Sequence, residues 1–134
     1  MSFEKDFAQW LEDGIAQGVS DEVVAFCFNL NEPAFESPAK FGVELIGAGS
    51  FDEADPDWPC DEVWEPEPRM VIIPPDFSGP EWEECLARMK ALVSRQLELD
   101  GPAAKQLKSS QGIGIGFVDG ELEIVWTSSE AGAC

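Results

Sequence analysis

The sequence contains no histidine, and this absence removes a class of chemistry before any motif is considered. Histidine is the usual general base, the usual partner in catalytic triads and the commonest zinc ligand. Hydrolase mechanisms that depend on an imidazole are therefore excluded. We expect a protein that is not an enzyme, and the residue pattern predicts neither a cofactor nor a bound metal.

The sequence also lacks a Cys-x-x-Cys pair, although it has four cysteines. Without that spacing, neither a zinc ribbon nor a redox motif is predicted. Cys27 and Cys85 fall within apolar patterns, which predicts buried thiols. Cys60 has many acidic neighbours that disfavour a thiolate, which argues against a nucleophilic role.

Basic residues are scarce, with 8 lysines and arginines against 27 acidic residues and a net charge of −19. So negative a chain is repelled by nucleic-acid phosphates and by anionic lipid surfaces, and it attracts cationic proteins. Long apolar runs are missing too, so neither a membrane span nor an export signal is predicted. We expect one cytoplasmic domain over residues 1–134, with no nucleic-acid or membrane partner.

Two main helices are predicted from apolar residues at helical spacing. The first begins after Ser2, a candidate N-cap, and runs past Ile15. The second runs from Pro80 to Asp100 and is opened by Ser78 and Glu81, which have the spacing of a capping box. Its predicted buried stripe consists of Trp82, Cys85, Leu86, Met89, Val93 and Leu97.

Period-two alternation predicts strands at Glu22 to Leu30, Phe41 to Gly47 and Arg69 to Ile73. Short connections and a terminal hairpin favour antiparallel pairing. The predicted fold class is therefore α+β, with a mainly antiparallel sheet of about five strands and two main helices packed on one face. The predicted element order is α-β-β-β-α-β-β.

The C-terminal stretch GIGIGFVDGELEIVW predicts a β-hairpin, because Asp119-Gly120 is a type I′ turn signal between two alternating strands. In the expected register Ile115 lies opposite Ile124, and Ile113 lies opposite Trp126. No Lys-Ser or Lys-Thr pair follows, so the glycines do not indicate a phosphate-binding loop. They leave one face of the strand flat and open to another backbone or a ligand: Gly112, Gly114 and Gly116.

The stretch FDEADPDWPCDEVWEPEP, residues 51–68, holds eight carboxylates, two tryptophans and no basic residue. A calcium site is not predicted, because Pro56, Trp58 and Pro59 interrupt the EF-hand spacing. The acid and base of a glycosidase are not indicated either, because so many neighbouring carboxylates offer many possible pairs and identify none. The aromatic residues between the charges indicate a segment held against the protein rather than a disordered one. A solvated loop with no function is left open.

The functional interpretation of this stretch is a protein-binding patch. Carboxylates steer a basic partner, and exposed tryptophans supply the desolvated anchors that carry most binding energy. Trp10, Trp82 and Trp126 lie on periodic apolar faces and are predicted to be core residues, whereas the tryptophans of this stretch have no such period. The predicted partner-binding residues are Asp52, Glu53, Asp55, Asp57, Trp58, Asp61, Glu62 and Trp64.

The stretches FDEADPDWPCDEVW and GIGIGFVDGELEIVW, in a small acidic α+β chain, resemble the immunity proteins of bacterial polymorphic-toxin and contact-dependent systems. Such proteins bind a cognate toxin, often a nuclease, and cover its active site. The resemblance therefore implies inhibition without catalysis, and it implies a toxin domain as the preferred basic partner.

Two further hypotheses come from other functional classes. One is a small-ligand-binding or enzymatic domain that uses the glycine face of the hairpin. The other is a subunit-interaction module in which Trp58 and Trp64 are buried in a homodimer. Like-charge repulsion favours a monomer. A dimer is left open because basic residues of the C-terminal half can pair with a neighbour's acidic segment, namely Arg88, Lys90, Arg95, Lys105 and Lys108.

Overall fold

The computed structural model describes residues 3–32, 41–55, 57–99, 101–117, 120 and 122–127. Helix α1 is Phe3–Ala16, and it is followed by β1 (Ala25–Asn31) and β2 (Phe41–Ala48). A 3-10 helix at Trp58–Cys60 precedes β3 (Glu62–Trp64) and β4 (Met70–Ile73). The remaining elements are α2 (Pro75–Ser78), α3 (Trp82–Glu98), α4 (Pro102–Lys108), β5 (Gly112–Phe117) and β6 (Glu123–Thr127).

The strands form one six-stranded sheet in the order β3-β2-β1-β5-β6, with β4 also paired to β2. Strands β1 and β5 run parallel, and the other paired strands run antiparallel. The α+β class with a mainly antiparallel sheet is confirmed. The additional strand is β3, which the sequence pattern does not predict because three residues within an acidic stretch show no alternation.

The helices share one face of the sheet, where the main core lies. Phe28 of β1 pairs with Leu45 of β2 on one side and with Ile115 of β5 on the other. The ring of Phe7 from α1 lies 5.9 Å from the ring of Phe28, and Met89 of α3 belongs to the same cluster. Each such side chain contributes about 1.5–3 kcal/mol when fully buried. The opposite side of the sheet is called the outer face below. None of the described helix residues of this main core packs on it.

The start of α3 differs from the predicted capping box. Residues Pro75–Ser78 form a separate short helix, and the hydroxyl of Ser78 donates to the carbonyl of Gly79 at 2.8 Å. Gly79 has a φ of 76°, a left-handed conformation that glycine adopts without steric cost, and it ends this helix. Helix α3 therefore begins at Trp82, and its N-cap Glu81 makes no side-chain capping bond.

The predicted core position of Trp82 is wrong, since its side chain is 50% exposed. Because α3 begins at this residue, the ring lies at the N-terminal end of the helix. It makes an edge contact with Phe117, with 6.0 Å between ring centroids. The rest of the predicted stripe lies inward, with buried Cys85, Met89, Val93 and Leu97 and a partly buried Leu86.

The register of the C-terminal hairpin agrees with the prediction at one pair only. Ile113 lies opposite Trp126 as expected, but Gly114 lies opposite Ile124. The predicted pairing of Ile115 with Ile124 is therefore wrong. The reason is a β-bulge, in which Val125 is the extra residue of β6. The predicted N-cap Ser2 and the predicted turn residue Asp119 lie outside the described residues.

Candidate functional site

The acidic stretch forms an ordered layer on the sheet, and its described residues 51–55 and 57–61 are called the acidic platform below. Two aspartates act as local caps, because Asp52 Oδ1 accepts from the Ala54 amide and Asp55 Oδ1 accepts from the Asp57 amide, both at 2.9 Å. Such bonds are the usual way in which aspartate stabilises turns. The amide of Gly49 donates to the Asp61 carbonyl at 2.8 Å, which ties the end of the platform to the end of β2.

Two aromatic rings fix the platform to the glycine face of β5. A Cβ atom on Gly112 would lie 2.3 Å from the ring of Phe51, and one on Gly114 would lie 3.0 Å from Cζ2 of Trp58. The two rings also contact each other edge-on, with centroids 5.0 Å apart. Glycine is thus needed here because the chain's own rings approach the strand closely. The face predicted to be open to a ligand is filled at these two positions.

The prediction that Trp58 is an exposed anchor is wrong, since its side chain is only 2% exposed. The physical reason is the run of small residues on the outer face, which leaves room for a large ring. Its Nε1 atom is buried and has no hydrogen-bond partner within the part of the chain that the structure describes. The ring packs in a second hydrophobic cluster with Ala25, Cys27, Ile46 and Ala48.

Trp64 is half-buried and belongs to the other hydrophobic cluster. Its Nε1 donates to the Gly18 carbonyl at 2.9 Å, and its ring meets that of Phe26 edge-on at 5.9 Å. The structure therefore does not bring Trp58 and Trp64 together. They support opposite faces of the sheet, and neither indole is a free ring beside the acidic residues.

The carboxylates of the platform are open to solvent. All five of them are exposed, and no salt bridge connects any of them to a described basic residue. At this density, acidic groups without a cation nearby produce a strong local negative potential. The arrangement can offer negative charge and hydrogen-bond acceptors to a basic side chain. The five carboxylates belong to Asp52, Glu53, Asp55, Asp57 and Asp61.

Glu62, the sixth predicted acidic contact, is already paired within the chain. The Arg69 guanidinium bonds to Glu62, with Nη2 to Oε1 at 2.7 Å, and also to Glu65 at 2.7 Å and to Glu44 at 3.1 Å. The hydrogen bonds that the guanidinium donates to Glu62 and Glu44 raise the pKa of Arg69 above its ordinary value. The sequence analysis did not identify Arg69 as a partner of these carboxylates, although a basic residue directly after an acidic stretch indicates an ion pair.

Cys27 and Cys85 are buried as predicted, and Cys60 is exposed. Burial raises the pKa of the Cys27 thiol from 9.0 to about 12, with a further contribution from Glu44. Its Sγ donates to Asn29 Oδ1 at 3.2 Å. A thiol that stays protonated at neutral pH is a poor nucleophile, so Cys27 acts as a packing residue under the platform.

Comparisons with known protein families, with curated proteins and with solved structures found no match. Among the residues that the structure describes, no three acidic or cysteine side chains are grouped in a way that would hold a metal ion. None of the described helices is both long enough and apolar enough to cross a membrane.

Proposed function

We propose that this chain is an intracellular inhibitor of the immunity-protein kind, which binds a basic protein, by preference a toxin domain, through the acidic platform. The observation that carries the proposal is the set of five exposed platform carboxylates, none of which has an ion-pair partner among the described residues. A net charge of −19 adds long-range attraction for a cationic surface.

The burial of Trp58 supports this function in a different way from the one expected. Its ring and that of Phe51 hold the platform in place before any partner arrives. A surface that is already ordered loses less conformational entropy on binding, and this improves affinity. The contact itself then consists mainly of charge-assisted hydrogen bonds from lysine or arginine to carboxylates.

The two other hypotheses lose their structural basis at this surface. Phe51 and Trp58 occupy the space over Gly112 and Gly114, where a small ligand was expected. Trp58 is buried inside its own chain, so its ring is not accessible to a second subunit. Basic partners remain the class of ligand that the exposed groups of the platform suit best.

The test is a comparison of two variants with the same loss of charge. In the platform variant, the five carboxylates become amides: Asp52→Asn, Glu53→Gln, Asp55→Asn, Asp57→Asn and Asp61→Asn. In the control variant, five exposed acids of the helices become amides: Glu4→Gln, Asp6→Asn, Asp13→Asn, Glu83→Gln and Glu98→Gln. Circular dichroism spectra and melting temperatures establish that both variants fold.

Growth is then measured in bacteria that co-express each variant with a basic toxin domain against which the unmodified chain protects. We expect the platform variant to lose protection and the control variant to keep it. The association rate of the unmodified chain with the purified toxin domain should fall steeply as salt rises, because exposed charges act mainly on the on-rate. Full protection by a folded platform variant would refute the proposed function.

A further inference from the structure

Of the five tryptophans, all of which lie within the described residues, only Trp82 is exposed. Its side chain is 50% exposed, whereas Trp10 and Trp58 are buried and Trp64 and Trp126 are half-buried. Long side chains on a helix lean towards its N-terminus and cover the preceding turn. Trp82 is the first residue of α3, so no preceding turn of this helix lies beneath its ring. A large apolar surface is therefore left open to solvent.

The exposed ring of Trp82 is the outermost of three aromatic rings in contact. Its edge contact with Phe117 continues to the buried Phe41, whose ring centroid lies 5.6 Å from that of Phe117. Phe117 packs against the main core, on the side of the sheet opposite the acidic platform. Trp82 thus extends the core outwards at a surface separate from the platform. A ring that is ordered before binding loses little conformational entropy when a partner covers it.

The exposed tryptophan lies between two exposed acids, Glu81 and Glu83. Neither forms a salt bridge with a basic residue in the described part of the chain. The next acid, Glu84, is paired with Arg88 at 3.6 Å, and Arg88 Nη1 also donates to a main-chain carbonyl of α2 at 2.8 Å. Acids at the start of a helix are favoured by the helix dipole, which accounts for the charges but not for the exposed indole between them.

We propose that Trp82, with Glu81 and Glu83, binds an arginine side chain of a protein partner. This goes beyond the proposed function, since it needs neither the platform nor a toxin. A guanidinium group is flat and weakly hydrated, so it can stack on an indole, which attracts its charge, while its N–H groups donate to carboxylates. A lysine ammonium is more strongly hydrated and suits this surface less. A second copy of this chain is a less suitable occupant, because it brings two charges of −19 together.

The test follows the indole N–H signal of Trp82 in heteronuclear NMR spectra of the full chain. The signal is assigned by its absence from the spectrum of a Trp82→Phe variant. Three peptides of equal length are added in turn, in which alanine alternates with arginine, with lysine or with citrulline, the uncharged analogue of arginine. We expect the arginine peptide to shift the signal until it saturates. The lysine peptide should bind about threefold more weakly or worse, and the citrulline peptide about tenfold more weakly or worse.

Two variants with the same loss of charge show whether the neighbouring acids take part. Glu81→Gln with Glu83→Gln should weaken the arginine peptide about threefold or more, while Glu4→Gln with Asp6→Asn should not. Melting temperatures establish that both variants fold, and both keep Trp82, so the same signal reports binding. Equal weakening by the two variants would assign the binding to overall charge and overturn the inference.

The remaining outcomes separate this inference from the proposed function. The platform variant with five amides should keep the shift of the Trp82 signal, and loss of the shift there would overturn a separate surface. An unmoved signal, or equal binding of the arginine peptide and either analogue, would overturn the inference and leave the platform untouched. A signal that moves with protein concentration alone would assign the surface to a second copy and overturn it too. Protection against the toxin domain tests the proposed function independently.

Discussion

The ring of Trp58 lies against Gly114, so closely that a Cβ atom there would come within 3.0 Å of the indole. The two residues are far apart in the sequence, and each explains the other. The glycine makes room for the ring, and the ring holds the acidic platform on the sheet. Charged groups that repel one another are in this way kept on an ordered surface by apolar contacts beneath them.

Replacing Gly112 with alanine should destabilise the protein by about 1–3 kcal/mol, as is usual when a methyl group is forced into a packed site. The new Cβ would lie 2.3 Å from the Phe51 ring, which must move. Urea unfolding measures the effect, with Gly120→Ala as the control because its Cβ would meet nothing closer than 3.5 Å.

A double-variant cycle shows whether this contact is the cause. In a Phe51→Ala background the same Gly112→Ala change should cost less, because the ring that obstructs the methyl group is gone. Equal costs in the two backgrounds would mean that Phe51 does not rest on Gly112.

Trp58→Ala should lower the free energy of unfolding by about 3–5 kcal/mol, the usual range for removing a large buried ring. Trp58→Phe should cost much less, since the buried Nε1 of Trp58 has no hydrogen-bond partner in the described chain and its loss leaves nothing unsatisfied. Urea unfolding of both variants tests this. Similar costs for alanine and phenylalanine would contradict the packing role.

Most of the regular elements could be predicted because their signals are local. The alternation in β2 and the apolar stripe of α3 each lie within one segment, so the pattern alone indicates which face is buried. The burial of Trp58 is different, because it depends on Gly114 in a strand that lies next to the platform only in the folded chain. Burial of a residue without periodic neighbours is decided by tertiary contacts.

The same limit explains two further features that the sequence pattern did not predict, the ion pairs of Arg69 and the register of the C-terminal hairpin. Arg69 pairs with Glu44 across 25 residues, and no spacing rule connects them. The bulge at Val125 shifts the hairpin register, because a local turn pattern does not report an extra residue further along a strand. Charge and aromatic content indicated the location of the candidate site, but not which side chains face solvent.

The buried thiols predict a loss of stability at high pH. An unfolded thiol ionises near pH 9, whereas burial raises the pKa of Cys27 and of Cys85 to about 12. Between these values the native state binds more protons than the unfolded state, so the free energy of unfolding falls as pH rises. Below pH 9 this contribution is fully present.

Urea unfolding at about pH 8 and about pH 10 measures the loss. The sequence has no tyrosine, which removes one other group that titrates in this range. Cys27→Ala should reduce the dependence on pH, because it removes one of the two buried thiols. If the free energy of unfolding of the Cys27→Ala variant fell between the two pH values by as much as that of the unmodified chain, the effect would belong to other groups.

Salt should stabilise the fold, because screening reduces the repulsion among 27 acidic residues. We expect the melting temperature to rise between about 20 mM and about 300 mM sodium chloride, which spans strong and weak screening of surface charges. The platform variant with five amides should show a smaller rise. A melting temperature that falls on adding salt would mean that attractive ion pairs outweigh the repulsion.

Arg69→Met should destabilise the protein by about 1 kcal/mol, a modest value because the guanidinium and two of its three partners are partly exposed. The least exposed partner is Glu44, whose side chain is 17% exposed. The substitution of Arg69 leaves this carboxylate without its cation. Adding Glu44→Gln should therefore recover part of the loss, as a cycle of urea unfolding experiments can measure. Replacing Arg69 with lysine instead of methionine should recover less of the lost stability than Glu44→Gln does, since an ammonium group cannot bond three carboxylates in a planar fork. If Glu44→Gln costs the same with and without Arg69, the two side chains are not coupled.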